Sequence, residues 1–186
     1  MQYYHYQLEY RIDRGKNDKE HNTFIVNGVY YLAPFGFSLK SYIINGARSS
    51  IPLIKLKPLN EKANSVIIFS HGNGSDLSQC IDVICSLAEI HYATFIAYDY
   101  TGYGQSSIKD ATSQTICDDL ETLIAWLNVP LHHLVLVGFS LGCYPTAKVA
   151  SNYKVKAVLL ISPMLSLISL LSEQDSLGVN TFFKQD

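Results

Sequence analysis

The chain has 186 residues, 48% of them hydrophobic and 16% charged, a balance that excludes wholesale disorder. At this length folding removes roughly 70% of the unfolded surface from water, which supports one sizeable core, so a single domain is expected. Fourteen basic residues against sixteen acidic ones leave a net charge of -2, without the clustered positive field that nucleic acid or anionic lipid requires, and neither is expected as a partner.

The polar start MQYYHYQLEYRIDRG does not read as a secretory leader, and the four cysteines, Cys80, Cys85, Cys117 and Cys143, form no CxxC pair. Reduced thiols in an intracellular protein, cytoplasmic or membrane-peripheral, are therefore expected. Tyr3, Tyr4, Tyr6 and Tyr10 cluster in this polar stretch and fit ordinary surface aromatics as well as a partner-facing patch. Residues 1–37 lack the βαβ regularity of the later chain and are read as an N-terminal extension.

Leu39 to Ile44 and Ile51 to Leu56 follow as antiparallel strands joined near Asn45-Gly46. From Ser65 the pattern changes to short apolar runs alternating with helical periodicity, the signature of βαβ units in a parallel sheet. SVIIFS (Ser65 to Ser70) is a nearly continuous apolar run needing burial on both faces, and it stops at His71-Gly72-Asn73-Gly74. Ser75 or Asp76 can cap the helix that follows, where Leu77, Ile81, Ile84, Leu87 and Ala88 share a face. ATFIAY (Ala93 to Tyr98) is the next strand, and Ile116, Leu120, Leu123, Ile124 and Leu127 mark a second helix with Asp118, Asp119 and Glu121 outside. LVLVGF (Leu134 to Phe139), a helix from about Leu141 to Ser151, and VKAVLLI (Val155 to Ile161) complete the order βαβαβαβ. The longest apolar run, Ala157 to Leu171, is short for a bilayer span and carries Pro163, so no transmembrane segment is expected. Met164, Leu165, Leu167, Ile168, Leu170 and Leu171 read as core packing before they read as a lid.

Gly138-Phe139-Ser140-Leu141-Gly142 fits GxSxG, with a buried strand before it and a helix directly after it. The pentapeptide alone is common; its context makes it specific. A serine in so sharp a turn has strained backbone angles, and only small residues two places away let the chain fold back. Its hydroxyl is thereby pushed outward at a helix N-terminus, where free N–H groups favour a developing oxyanion. His71-Gly72-Asn73-Gly74 closes the preceding central strand, and in a parallel sheet both turns open at the same end. The N–H of Asn73, with Gly74 beside it, can join that of Leu141 in one oxyanion hole. A third turn, Asp99 to Ser106, contains Gly102-x-Gly104 but lacks the third glycine and the acidic residue of a dinucleotide site. No cofactor is expected. Cys80 and Cys85 lie on different helix faces without a histidine at ligand spacing, so no metal is expected either; Cys143 reads as a small residue packing helix on sheet.

Four segments, FSHGNGSDL (Phe69 to Leu77), YDYTGYGQSS (Tyr98 to Ser107), VGFSLGCYPT (Val137 to Thr146) and LISPMLS (Leu160 to Ser166), together resemble the α/β-hydrolase superfamily and, within it, the depalmitoylase-like branch of the α/β-hydrolase-domain proteins. The resemblance covers roughly residues 38 to 170. It implies an α/β fold with a mostly parallel sheet and helices on both faces, an intracellular serine hydrolase acting on acyl esters or on thioesters of S-acylated proteins, and residues 38–186 as a partial α/β-hydrolase domain. By the same resemblance Ser140 is the nucleophile, Asn73 and Leu141 form the oxyanion hole, Gly72, Gly138 and Gly142 belong to the motifs, and His71 serves loop architecture.

The family's triad runs Ser, acid, His in chain order. All six histidines, His5, His21, His71, His91, His132 and His133, precede Ser140. His132 and His133 begin the strand that ends at Ser140, some 23 Å away at the opposite edge of the sheet. The acids after Ser140, namely Glu173, Asp175 and Asp186, are assigned no role. Losing one triad member costs ~10⁴ to 10⁶ in turnover. Two readings stand: the front part of a longer hydrolase, or a hydrolase fold truncated before its last two strands and kept as a structural or binding subunit. Either way the strand ending at Ile161 would be an apolar edge needing a cover, from the remainder of the chain or from a protein partner.

Overall fold

The computed structural model describes residues 8–14, 20–26, 29–46, 48–59, 65–107 and 110–163. The chain opens with three strands, β1 (Leu8–Arg14), β2 (Glu20–Val26) and β3 (Val29–Leu32), paired antiparallel in the order β1-β2-β3. These strands lie within the N-terminal extension, for which the sequence reading names no element. That reading overlooked a period of two in LEYRIDR, where Leu8, Tyr10 and Ile12 alternate with Glu9, Arg11 and Asp13.

Among the described residues the main sheet has six strands: β4 (Phe37–Asn45), β5 (Ser50–Pro58), β6 (Val66–Ser70), β7 (Thr94–Tyr98), β8 (Leu134–Phe139) and β9 (Ala157–Ile161). Their spatial order is β4-β5-β7-β6-β8-β9. β4, β5 and β7 pair antiparallel, with Leu39 opposite Leu56 and Leu53 opposite Tyr98. β7, β6, β8 and β9 are parallel, with Ile67 opposite both Phe95 and Val135. The two N-terminal strands of this sheet therefore extend one edge of a parallel core, as the hairpin signal predicts.

Helix α1 (Leu77–Ile90) starts at Asp76, whose carboxylate accepts the Ser78 N–H at 2.9 Å. Of the two candidate caps it is thus Asp76 that serves, satisfying a donor that the first helical turn leaves free. Helix α2 (Ser113–Leu127) begins with a reciprocal box in which Thr112 and Thr115 each bond the other's N–H, at 2.9 and 3.1 Å. It ends at Asn128, left-handed at φ 47°, a conformation that asparagine tolerates better than most. Helix α3 (Cys143–Ala150) follows β8 after a single 3-10 turn.

Alternate residues of each parallel strand face opposite layers. Phe69, Phe95, Ala97 and Val137 pack with Leu77, Ile81 and Ile84 of α1. Ile68, Ile96, Tyr98 and Leu136 pack with Ile116, Leu120 and Leu123 of α2 and Val149 of α3. Burial on both faces is why these strands are apolar without interruption. β9 departs from this rule: among the described residues it is an outer strand, and Val158, Leu159, Leu160 and Ile161 are all exposed.

Candidate active site

β8 runs straight into the turn Ser140–Gly142. Ser140 sits at φ +51°, in the left-handed region that costs a residue with a Cβ about 1–2 kcal/mol. The glycines on either side are there by close approach. A Cβ on Gly138 would stand 2.5 Å from the Gly142 carbonyl oxygen, and one on Gly142 only 2.1 Å from the Ser70 carbonyl oxygen. No side chain fits at such distances, so the elbow can close only through glycine.

The second turn lies against the first. Ser70 pairs with Gly138 across β6 and β8, and a Cβ on Gly72 would be 3.3 Å from the Ser140 Cβ and 3.1 Å from the Phe139 ring. The loop from His71 to Gly74 therefore borders Ser140, bringing together the two motifs that the sequence places at one end of the sheet. Ser140 and Asn73 are half-buried, Leu141 is buried, and Gly74 is exposed.

His71 is buried beneath this loop. Its Nδ1 lies 3.0 Å from the Gly72 carbonyl oxygen, which can only accept, so in the neutral ring Nδ1 carries the proton. Its Nε2 has no hydrogen-bond partner and faces Asp99 Oδ1 at 3.6 Å. That separation falls within ion-pair reach, yet loss of solvation pulls the ring's pKa down to about 4, against the opposing pull of the Gly72 carbonyl and the Asp76 charge. The ring is neutral near pH 7, and the contact is not an ion pair there. The imidazole stacks on Tyr100, with ring centroids 4.3 Å apart.

A stability effect of definite sign follows. Because the folded pKa lies below the unfolded value, His71 favours folding fully above about pH 6.5, and that contribution fades as pH falls toward 4. The expected loss is about 3 kcal/mol between pH 7 and pH 4. Urea midpoints measured across this range should fall more steeply for the parent than for His71→Gln; parallel slopes would show that His71 is not the group responsible.

The third turn holds a buried carboxylate in place of a phosphate. Asp99 Oδ1 accepts the Leu77 N–H at 2.7 Å, and Oδ2 accepts that of Gln105 at 3.2 Å. Gly104, left-handed at φ +49°, leaves room for it: a Cβ there would overlap Oδ2 at 1.9 Å. Tyr100 donates to the His71 carbonyl oxygen at 2.5 Å, and Tyr103 donates to Asn73 Oδ1 at 2.8 Å. Behind the turn, Asp119 accepts the Thr101 N–H at 2.6 Å; burial raises its carboxyl above the ordinary range, with that bond opposing. Asp119, expected on the outer face of the second helix with Asp118 and Glu121, is instead buried, because its carboxylate turns inward to the Thr101 N–H; Asp99, Tyr100 and Tyr103 are given no role by the sequence. The available signal was Asp99, an acid directly after a strand whose five residues are all buried.

Cys143 is buried, its Sγ 3.1 Å from the Gly138 carbonyl oxygen and 3.3 Å from that of Ile161, and burial raises its thiol pKa. It thus links the ends of β8 and β9 next to the elbow. His132 and His133 occupy the 3-10 turn (Leu131–His133) that feeds β8 from the end opposite Ser140. Among the described residues no cluster has the makings of a metal site, and no helix is long and apolar enough to cross a membrane. Tyr3, Tyr4 and Tyr6, the apolar stretch from Met164 to Leu171, and the acids Glu173, Asp175 and Asp186 lie outside the described residues, as does any end of the sheet beyond residue 163.

Strand order, elbow and loop together define an α/β-hydrolase, and a model of the alpha/beta hydrolase fold matches residues 65–184. The chain belongs to that family. Alpha/beta hydrolase domain-containing protein 17C of Xenopus tropicalis is 36% identical over 106 residues, covering 54% of this chain and 33% of its own. Alpha/beta hydrolase domain-containing protein 17B of Homo sapiens is 32% identical over 127 residues, covering 65% and 42%. The chain thus spans between a third and a little over two fifths of the length of these curated relatives. Among solved structures, a membrane phospholipase A described as a bacterial virulence factor superposes with a TM-score of 0.61 at 22% identity, over 78% of this chain and 46% of that one. A thioesterase domain from the curacin biosynthetic pathway gives 0.57 at 21%, over 75% and 51%. At such identities these two likenesses speak for the fold alone.

Proposed function

We propose that the protein is a serine hydrolase of acyl esters or thioesters, S-acylated proteins included, working through a covalent acyl-Ser140. The observation that carries this reading is the left-handed Ser140, held between glycines that tolerate no Cβ and bordered by the Gly72 loop. In the reaction Ser140 Oγ attacks the acyl carbon, the C–S or C–O bond breaks, and the thiol or alcohol leaves with the proton taken from the serine. Water then attacks the acyl-serine and releases the acid. The N–H groups of Leu141 and Asn73 are the donors for the tetrahedral oxyanion. His71, neutral and committed to the Gly72 carbonyl, shapes the loop and takes no proton. No histidine follows Ser140 in these 186 residues, so this reading draws the general base from outside them.

The test uses the protein isolated from its natural source, with its intact mass measured and a fluorophosphonate probe applied. Labelling of the peptide that contains Ser140, on a protein well above 20.8 kDa, is the expected result. The exposed apolar face of β9 among the described residues favours one other reading, a catalytically incomplete fold acting as a structural or binding subunit. A natural mass of 20.8 kDa with no labelling would establish that reading in place of the first.

A further inference from the structure

The turn that follows β7 touches the loop bordering Ser140 at three points. Asp99 takes the N–H of Leu77 at the start of α1, Tyr100 donates to the carbonyl of His71, and Tyr103 donates to the side-chain oxygen of Asn73. The first two contacts hold the flanks of the loop; the third reaches its centre. Tyr103 is itself fixed, meeting the rings of Tyr100 and His71 edge-on with centroids 4.7 and 5.3 Å away. Its hydroxyl therefore stands on a rigid aromatic base. Asn73 lies one residue before Gly74, which is left-handed at φ +74° and has nothing within 4 Å of its Cβ position. On that side the loop has open space; the Ser75 N–H to Gly72 carbonyl bond at 3.3 Å closes the turn from the backbone, and the Asn73 side chain on Tyr103 holds it from the other side.

We infer that Tyr103 is a positioning residue for acyl transfer, its hydroxyl holding Asn73 so that the Asn73 N–H is already aimed when the oxyanion forms. This rests on the serine hydrolase reading of the site. An oxyanion donor works because it needs no reorganisation at the moment of reaction, and a displacement of about 1 Å can cost 10²-fold in rate. The Asn73 side chain acts here on the geometry of its own backbone, a role that the motif HGNG does not disclose by spacing.

The test is the kinetics of fluorophosphonate labelling of the protein at its natural length, for Tyr103→Phe, Asn73→Ala and the double variant. Tyr103→Phe keeps the ring contacts and removes one oxygen; Asn73→Ala keeps the N–H and removes the anchor. Each is expected to lower the maximal labelling rate by about 10- to 100-fold, with the half-saturating probe concentration changed by no more than about twofold. The double variant should be no slower than the slower single one, because both remove the same contact. Losses that multiply, or an unchanged rate in Tyr103→Phe, overturn the inference while Ser140 still labels in the parent. Should Tyr103→Phe fail to fold, Asn73→Ala decides alone, an unchanged rate being fatal. A parent that does not label overturns the hydrolase reading and this inference with it.

Discussion

Gly142→Ala is expected to be among the most damaging single-atom additions in the molecule. Its new methyl would stand 2.1 Å from the Ser70 carbonyl oxygen and 2.6 Å from that of His71, and both are backbone atoms at the end of a central strand. A flexible side chain could rotate away; β6, paired on both sides, cannot. Relief has to come from moving the elbow off the sheet, which breaks the close approach of the two turns. Overpacking of this kind costs ~3 kcal/mol, the upper end of the usual range because the clash is with backbone, or a thermal midpoint lower by about 6–12 °C in a chain of this size. Calorimetry reads the shift, and the same variant should lose labelling of Ser140, since the loop and the turn move together. A midpoint within about 2 °C of the parent would mean that the turn is more pliable than its contacts imply.

Ser140 variants separate chemistry from strain. Ser140→Ala should lower turnover by ~10⁴ to 10⁶ in the natural protein with little change in midpoint, because alanine inherits the same left-handed backbone. Ser140→Gly should be equally inactive and more stable than the alanine variant by about 1 kcal/mol, as glycine adopts φ +51° without a steric cost. Equal stability of the two would remove the argument that the elbow stores strain for function.

How much of this was legible beforehand depends on whether a signal is local. β6 to β9 and the three helices could be read because burial on both faces writes continuous apolar runs, and because a cap such as Asp76 acts within one helical turn. Ser140 and its glycines could be read because the steric demand falls on neighbours in the chain. Asp99 could not: its partners Leu77 and Gln105 lie on either side of it, 22 and 6 residues away. Nothing in TGYG says that its last glycine makes room for a carboxylate. Tyr103 was hidden in the same way, by a contact with Asn73 across 30 residues. β1 to β3 failed for a different reason. Their period of two is short and alternates with charged residues, without the continuous apolar run that marks the central strands.

Among the described residues the main sheet also divides the interior into two compartments that share no side chains. Ile68 and Phe69 are covalent neighbours, yet the first belongs with α2 and the second with α1. Adjacent positions in the chain are therefore strangers in packing, while Phe69 and Ile84, far apart in the chain, share one compartment. A change of volume at Ile68 must be absorbed by the α2 and α3 layer and one at Phe69 by the α1 layer, so drift in the sequence of this fold is correlated by face and independent across it.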